Sequence, residues 1–203
     1  MRDPACLVCH ARNAAGTLCN SCKRHVPNLT RAVWATSYDY TPIHEAIVQF
    51  KYSGNRSLAS PLASCIVSSI KKRLQVKSMV IPQDAVLLAL PLHPQKRRER
   101  GFNQSELLAR VVADELSLPL LPAFVLQRIR PTPPQAHVRT REERLKNIRG
   151  AFAVPKEHYP LVAGKTILLV DDITTTGSTL NDAARALKEA GAKAVWGVVV
   201  ARG

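Results

Sequence analysis

An α/β fold, with a parallel sheet covered by helices on both faces, is the expectation from two features of the sequence. Residues 85–92, 167–170 and 194–200 are continuous apolar runs with the length and composition of fully buried strands. Segments with apolar residues at helical spacing lie between and before them, and such alternation builds a parallel sheet. A third feature, two Cys-x-x-Cys pairs within the first 22 residues, sets a small metal-binding unit ahead of the sheet.

The elements follow in order. Residues 1–27 form the metal knuckle and residues 28–203 the sheet-containing domain. Residues 33–40 (VWATSYDY) read as a strand entering that domain. Residues 42–51 are helical, with Ile43, Ile47 and Phe50 on one side, and Gly54-Asn55 marks a turn. Leu58, Leu62, Ile66 and Ile70 make a stripe, hence a helix, with Cys65 expected as a small core residue. Residues 85–92 are a strand ended by Pro91 and His93-Pro94. Residues 104–116 are a helix with Leu107, Leu108, Val111, Val112 and Leu116 inward. Residues 167–170 form a strand, and residues 178–190 a helix with Leu180, Ala183, Ala184 and Leu187 inward and Gly191 at its end. Residues 194–200 form the last strand.

Composition narrows the function classes. With 46% hydrophobic residues the chain can bury a core. No apolar run approaches the roughly 18 residues that a membrane span requires. The N-terminal segment has no apolar core of a signal peptide, so the expected location is the cytoplasm. The formal net charge is +14, from 29 Lys and Arg against 15 Asp and Glu, which predicts anionic partners: phosphates, nucleic acid or both. The excess is clustered. Arg128, Arg130, Arg139, Arg141, Arg144, Lys146 and Arg149 face only Glu142 and Glu143 in residues 128–149. Lys96, Arg97, Arg98 and Arg100 form a second cluster. Both adjoin prolines and read as loops suited to a polyanion. Lys71, Lys72 and Arg73 end a helix, where cations complement its dipole.

Cys6 and Cys9 form the first pair, Cys19 and Cys22 the second. Each pair can chelate one metal from a tight turn, and two facing turns give a closed tetrahedral thiolate site for structural Zn2+. Two disulfides are the competing reading, which a reducing compartment disfavours. His10 and His25 flank the pairs and are surplus to four thiolates.

Residues 167–180, ILLVDDITTTGSTL, carry the chemistry. A buried strand ends in Asp171 and Asp172, and a hydroxyl-rich loop leads into a helix. The N–H groups of residues 175–179 at a helix N-terminus, with the dipole, favour a phosphate. Gly177 permits close approach and unusual dihedrals. The hydroxyls of Thr174, Thr175, Thr176, Ser178 and Thr179 can donate to phosphate oxygens. Asp171 and Asp172 would repel phosphate, so they suit ribose hydroxyls or a divalent cation. Together these parts describe a pocket for a 5-phosphorylated ribose.

This segment resembles the phosphoribosyl pyrophosphate (PRPP) motif of type I phosphoribosyltransferases. The two Cys pairs, Phe50-Lys51-Tyr52 with Gly54-Asn55, Pro91-Leu92-His93, Arg100-Gly101-Phe102-Asn103-Gln104, Gln135 with Arg144 and Asn147, and Gly150-Ala151-Phe152 narrow the resemblance to the ComF family of competence-associated proteins. It spans nearly the whole chain, and RGFNQ and DDITTTGST are its most specific parts.

The resemblance implies a type I phosphoribosyltransferase-like sheet behind a zinc knuckle. It implies a pyrophosphate-binding loop over residues 93–101, with Arg97, Arg98, Arg100 and Gly101, and Lys51 also reaching the phosphates. It implies a flexible cationic lid over about residues 128–147, including Arg130 and Arg144. The implied reaction transfers a ribosyl 5-phosphate from PRPP, bound with Mg2+, to an acceptor with loss of pyrophosphate. Asp171 and Asp172 would act at the ribose. No side chain in the loop suits a general base for one particular acceptor. The implied partners are PRPP, single-stranded DNA and DNA-uptake or recombination proteins. A non-catalytic PRPP-responsive regulator and a purely nucleic-acid-binding uptake factor remain as alternatives.

Overall fold

The computed structural model describes residues 6, 11, 18–131 and 148–203. Their strands are β1 (Arg31–Ser37), β2 (Ala85–Ala89), β3 (Gln127–Arg128), β4 (Phe152–Ala153), β5 (Thr166–Thr174) and β6 (Ala194–Arg202). The helices are α1 (Asn20–Lys23), α2 (Thr41–Tyr52), α3 (Ala59–Gln75), α4 (Pro94–Arg100), α5 (Gln104–Leu116), α6 (Tyr159–Val162) and α7 (Ser178–Glu189). β1, β6, β5 and β2 lie in that order and all pair in parallel, as the continuous apolar runs predict. β3 and β4 form a separate antiparallel pair.

Side chains alternate across each strand, so β5 feeds two cores. Leu168 and Val170 pack with Phe50 of α2, Ile66 and Ile70 of α3, and Leu108 and Val112 of α5. Ile167 and Leu169 pack with Leu180 and Leu187 of α7, Phe152 of β4, and Val26 and Leu29 next to the knuckle. A close helix–sheet approach is at Gly197 in β6. A Cβ there would stand 2.9 Å from Leu180 Cδ1, so the glycine lets α7 sit down on the sheet.

Four expectations are corrected. Residues 94–100 form a helix, not a loop. His93 caps it, accepting from Gln95 N at 3.3 Å, and Pro94 stands in the first turn, where its missing N–H costs nothing. Gly101, at φ +76°, ends it in the left-handed region. The other basic stretch begins not as loop but in β3, and residues 132–147 lie outside the described residues. Cys65 is not core: it is half-buried, and its thiol turns back to the Pro61 carbonyl at 3.4 Å. Finally, β5 does not stop before the acids; it pairs with β6 through Thr174, so Asp171 and Asp172 are strand residues.

Candidate functional site

The site lies at the carboxyl ends of β5 and β2, where open parallel sheets hold their ligands. Past Thr174 the chain makes a three-residue bend and enters α7. Gly177 caps that helix at φ +74°, a conformation an L side chain resists. The bend closes around a pocket of about 60 Å3 lined by Asp171 and residues 173–180. The Thr176 and Ser178 hydroxyls hydrogen-bond each other at 2.8 Å, and Ser178 N donates to Thr176 Oγ1 at 3.4 Å. Among the described residues, no acceptor meets the N–H groups of Thr175, Thr176 and Gly177. Three backbone donors at the start of a 12-residue helix thus stand ready for an anion.

The twin acids are inequivalent because they are neighbours in a strand. Asp172 falls on the face of Leu168 and Val170, is 2% exposed, and forms an ion pair with Lys51 Nζ of α2 at 3.0 Å. Asp171 lines the pocket. Its Oδ1 accepts from Ser105 Oγ and from Asp172 N, both at 2.9 Å. Burial, then the adjacent Asp172 charge, push the Asp171 carboxyl up to about 7 against the opposing pull of Lys51. Burial works to lower the Lys51 pKa, but the charges of Asp172 and Asp171 outweigh it and the net direction is up.

Cations gather around these carboxylates. Lys96 is pushed down by burial and then by the charges of Arg128, Arg100 and Lys51. Burial also lowers Arg128, against the pull of Asp171; its guanidinium lies 5.4 Å from the Phe152 ring centre. Arg100 donates to Gln104 Oε1 and sits 5.6 Å over the Tyr52 ring. Arg97 is instead held by Glu106 in a two-pronged contact at 2.8 and 3.2 Å. Arg98 is exposed on α4, and Arg130 donates to the Arg149 carbonyl at 2.6 Å. Arg144 lies outside the described residues.

The RGFNQ segment is the joint that sets α5 against the site. Phe102 packs 5.7 Å from Phe50. Asn103 caps α5 through Ser105 N at 3.1 Å and donates to the Leu90 carbonyl beyond β2 at 3.1 Å. Ser105 is thereby aimed at Asp171. Sequence reading missed Ser105, because a serine in the first turn of an amphipathic helix gives no signal. It also missed Asp182 of α7, which is 4% exposed and accepts from the N–H groups of Gly150, Ala151 and Phe152 at 2.9, 2.8 and 3.2 Å and from Arg185 at 3.0 Å.

Away from the sheet ends, the sulfur atoms of Cys6, Cys19 and Cys22 lie within 4.8 Å of one another. Tetrahedral thiolates on zinc stand about 3.8 Å apart, so the cluster could close on such an ion with small adjustments. Cys19 N donates to Cys6 Sγ at 3.4 Å and Cys22 N to Cys19 Sγ at 3.5 Å. Cys9 lies outside the described residues. No described helix is long and apolar enough to cross a membrane.

Residues 103–203 match the phosphoribosyl transferase domain family. Competence protein F of Haemophilus influenzae is 28% identical over 184 residues, 89% of this chain and 77% of that protein. DNA utilization protein YhgH of Salmonella typhi is 31% identical over 178 residues, 87% and 74% of the two chains. Competence protein ComFC of Bacillus subtilis is 28% identical over 191 residues, 92% and 72%. With a parallel sheet ending in a hydroxyl-lined pocket, a Cys cluster ahead of it and relatives matched over most of their length, the chain belongs to the ComF family of competence and DNA-utilization proteins, with a phosphoribosyltransferase-like domain.

Proposed function

We propose that the protein binds PRPP with Mg2+ and transfers its ribosyl 5-phosphate to an acceptor, releasing pyrophosphate. The observation that carries this reading is the pocket in which three open backbone N–H groups and the carboxylate of Asp171 face one small volume. Donors suit the terminal phosphate; a carboxylate suits the ribose hydroxyls. In the proposed division, residues 1–27 form a zinc knuckle held by Cys6, Cys9, Cys19 and Cys22, and residues 28–203 the catalytic domain. The zinc supplies folding energy rather than chemistry, since four thiolates leave it no open position.

The mechanism rests on positioning and electrostatics. Thr174, Thr175, Thr176, Gly177, Ser178 and Thr179 hold the 5-phosphate. As the bond from C1 to pyrophosphate breaks, C1 gains positive character and the leaving group gains negative charge. Asp171 stands on the sugar side and offsets the first. Lys51, Lys96, Arg100 and Arg128 offset the second, with Gly101 as the turn that sets Arg100. Mg2+ bound with PRPP would add to this neutralisation of the leaving group's charge. Lys51 also neutralises Asp172, so that buried carboxylate does not repel the phosphates. Arg97 and Arg98 can swing toward pyrophosphate only from the outer face of α4. Arg130 and Arg144 would extend the cationic rim.

A second role follows from the basic rim, the net charge of +14 and the family's DNA-utilization members: the same face binds single-stranded DNA through its phosphates in the cytoplasm. Calorimetric titration with PRPP and Mg2+, repeated with single-stranded DNA present, tests both. One PRPP per chain, weakened by DNA, supports a shared face. Absence of PRPP binding removes the transferase reading, and DNA affinity that does not fall with salt removes the second role.

A further inference from the structure

Arg202 joins the Cys cluster to the phosphate pocket. It is the last residue of β6 and is 7% exposed. Its Nη1 donates to the carbonyl of Cys6 at 3.3 Å, and its guanidinium stacks 4.9 Å over the Trp34 ring. Its backbone is part of the pocket's foundation. Arg202 pairs in register with Thr174, and Gly203 N donates to the Thr174 carbonyl at 2.9 Å. A methyl group on Gly203 would stand 3.2 Å from Thr175 Cγ2, so the chain end packs directly beneath the bend. One buried residue therefore reaches a sulfur-ligand residue with its side chain and stands beside the first pocket threonine in the sheet.

The electrostatics favour the same link. Four thiolates on a divalent ion carry a formal charge of about −2. A guanidinium on the carbonyl of Cys6 stands beside that charge, and such outer contacts orient the ligands of metal centres. When the metal leaves, the tie it makes between Cys6, Cys19 and Cys22 is lost. The Cys6 carbonyl to which Arg202 donates is then less firmly held, while Arg202 stays in the strand that pairs with Thr174.

We infer that Arg202 is a positioning residue that couples metal occupancy of the Cys6, Cys19 and Cys22 cluster to PRPP affinity at residues 174–177. This inference rests on the PRPP reading of the pocket. Coupling between two binding sites is reciprocal, so PRPP strengthens zinc binding by the factor by which zinc strengthens PRPP binding, and that factor is expected to be about five-fold or more.

The test is equilibrium competition for zinc between the full chain and a zinc-selective chelator, with and without saturating PRPP and Mg2+. The wild-type chain should hold zinc about five-fold more tightly when PRPP is present, in keeping with the usual size of such couplings. Arg202→Met should still bind one zinc and still bind PRPP, but with the two affinities independent; Arg202→Lys should retain part of the coupling. If PRPP binds the wild-type chain and zinc affinity does not change, the coupling is wrong while the pocket stands. If PRPP does not bind the zinc-loaded wild-type chain, the pocket reading fails and takes the coupling with it. The wild-type comparison needs no variant, so a failure of Arg202→Met to fold leaves the decision intact.

Discussion

The hydroxyl of Ser105 donates to Asp171 Oδ1 at 2.9 Å, tying the first turn of α5 to the pocket-facing carboxylate of β5 across 66 positions of sequence. The bond favours the charged carboxylate, which burial and Asp172 oppose. Ser105→Ala should therefore raise the pKa of Asp171 above about 7. The check is the pH midpoint of PRPP affinity, which should move upward in the variant while affinity at pH 9 stays close to wild type.

Asp171 also sets a pH dependence of stability. Its folded pKa of about 7 exceeds the ordinary value of 3.8. Between these values the folded chain holds a proton that the unfolded chain has lost. The stabilising contribution is therefore full below about pH 4 and is lost as pH rises through about 7. Asp171→Asn removes it. The stability difference between wild type and variant, from urea unfolding, should shift against the wild type from pH 5 to pH 8. PRPP affinity should run the other way, rising with pH in the wild type as the carboxylate ionises, and this rise should be smaller in Asp171→Asn.

Lys51 and Asp172 form a buried pair whose members cannot be removed singly without cost. Lys51→Met leaves a carboxylate that is 2% exposed without its cation, a loss of about 3–5 kcal/mol. The double variant Lys51→Met with Asp172→Asn should recover most of that loss, as read from denaturant midpoints in a double-mutant cycle. Equal losses in the single and double variants would contradict the pairing.

Asp182 gathers Gly150, Ala151 and Phe152 onto α7 through three backbone N–H groups. Asp182→Ala strands the buried N–H groups of Ala151 and Phe152 at about 1–3 kcal/mol each, so a total loss of about 2 kcal/mol or more is expected. Hydrogen exchange at Ala151 and Phe152 should accelerate in the variant. Unchanged protection there would show that the carboxylate is not what holds them.

Gly177 at φ +74° starts α7. Gly177→Ala should cost about 1–2 kcal/mol of stability through left-handed strain and should weaken ribose 5-phosphate binding, because the N–H of residue 177 turns away. Calorimetry with ribose 5-phosphate separates the two effects.

Much of this architecture is legible in the sequence. Apolar runs announce β2, β5 and β6, and the stripes of α3, α5 and α7 place Ile66, Val112 and Leu187 in the core. The TTTGST loop announces the bend into α7, since hydroxyls, a glycine and a helix start occur within a few residues. What is not legible depends on partners distant in sequence. Charge clustering flagged Arg97 but not that Glu106 holds it. Proline beside His93 suggested a loop, although proline also starts helices. Two adjacent aspartates looked like one feature, yet the strand continues through them and turns Asp172 toward Lys51 and Asp171 toward the pocket. Ser105 and Asp182 are ordinary helix residues until β5 and the segment 150–152 are brought against them.

In the proposed function the backbone of residues 175–177 receives the terminal phosphate of a phosphorylated ribose. Amide nuclear magnetic resonance of the uniformly labelled chain, titrated with ribose 5-phosphate, tests it most directly. Large saturable shifts of the Thr175, Thr176 and Gly177 amides are expected, with a smaller response at Asp171. Shifts confined to the α4 cations, with those three amides unmoved at saturation, would contradict it.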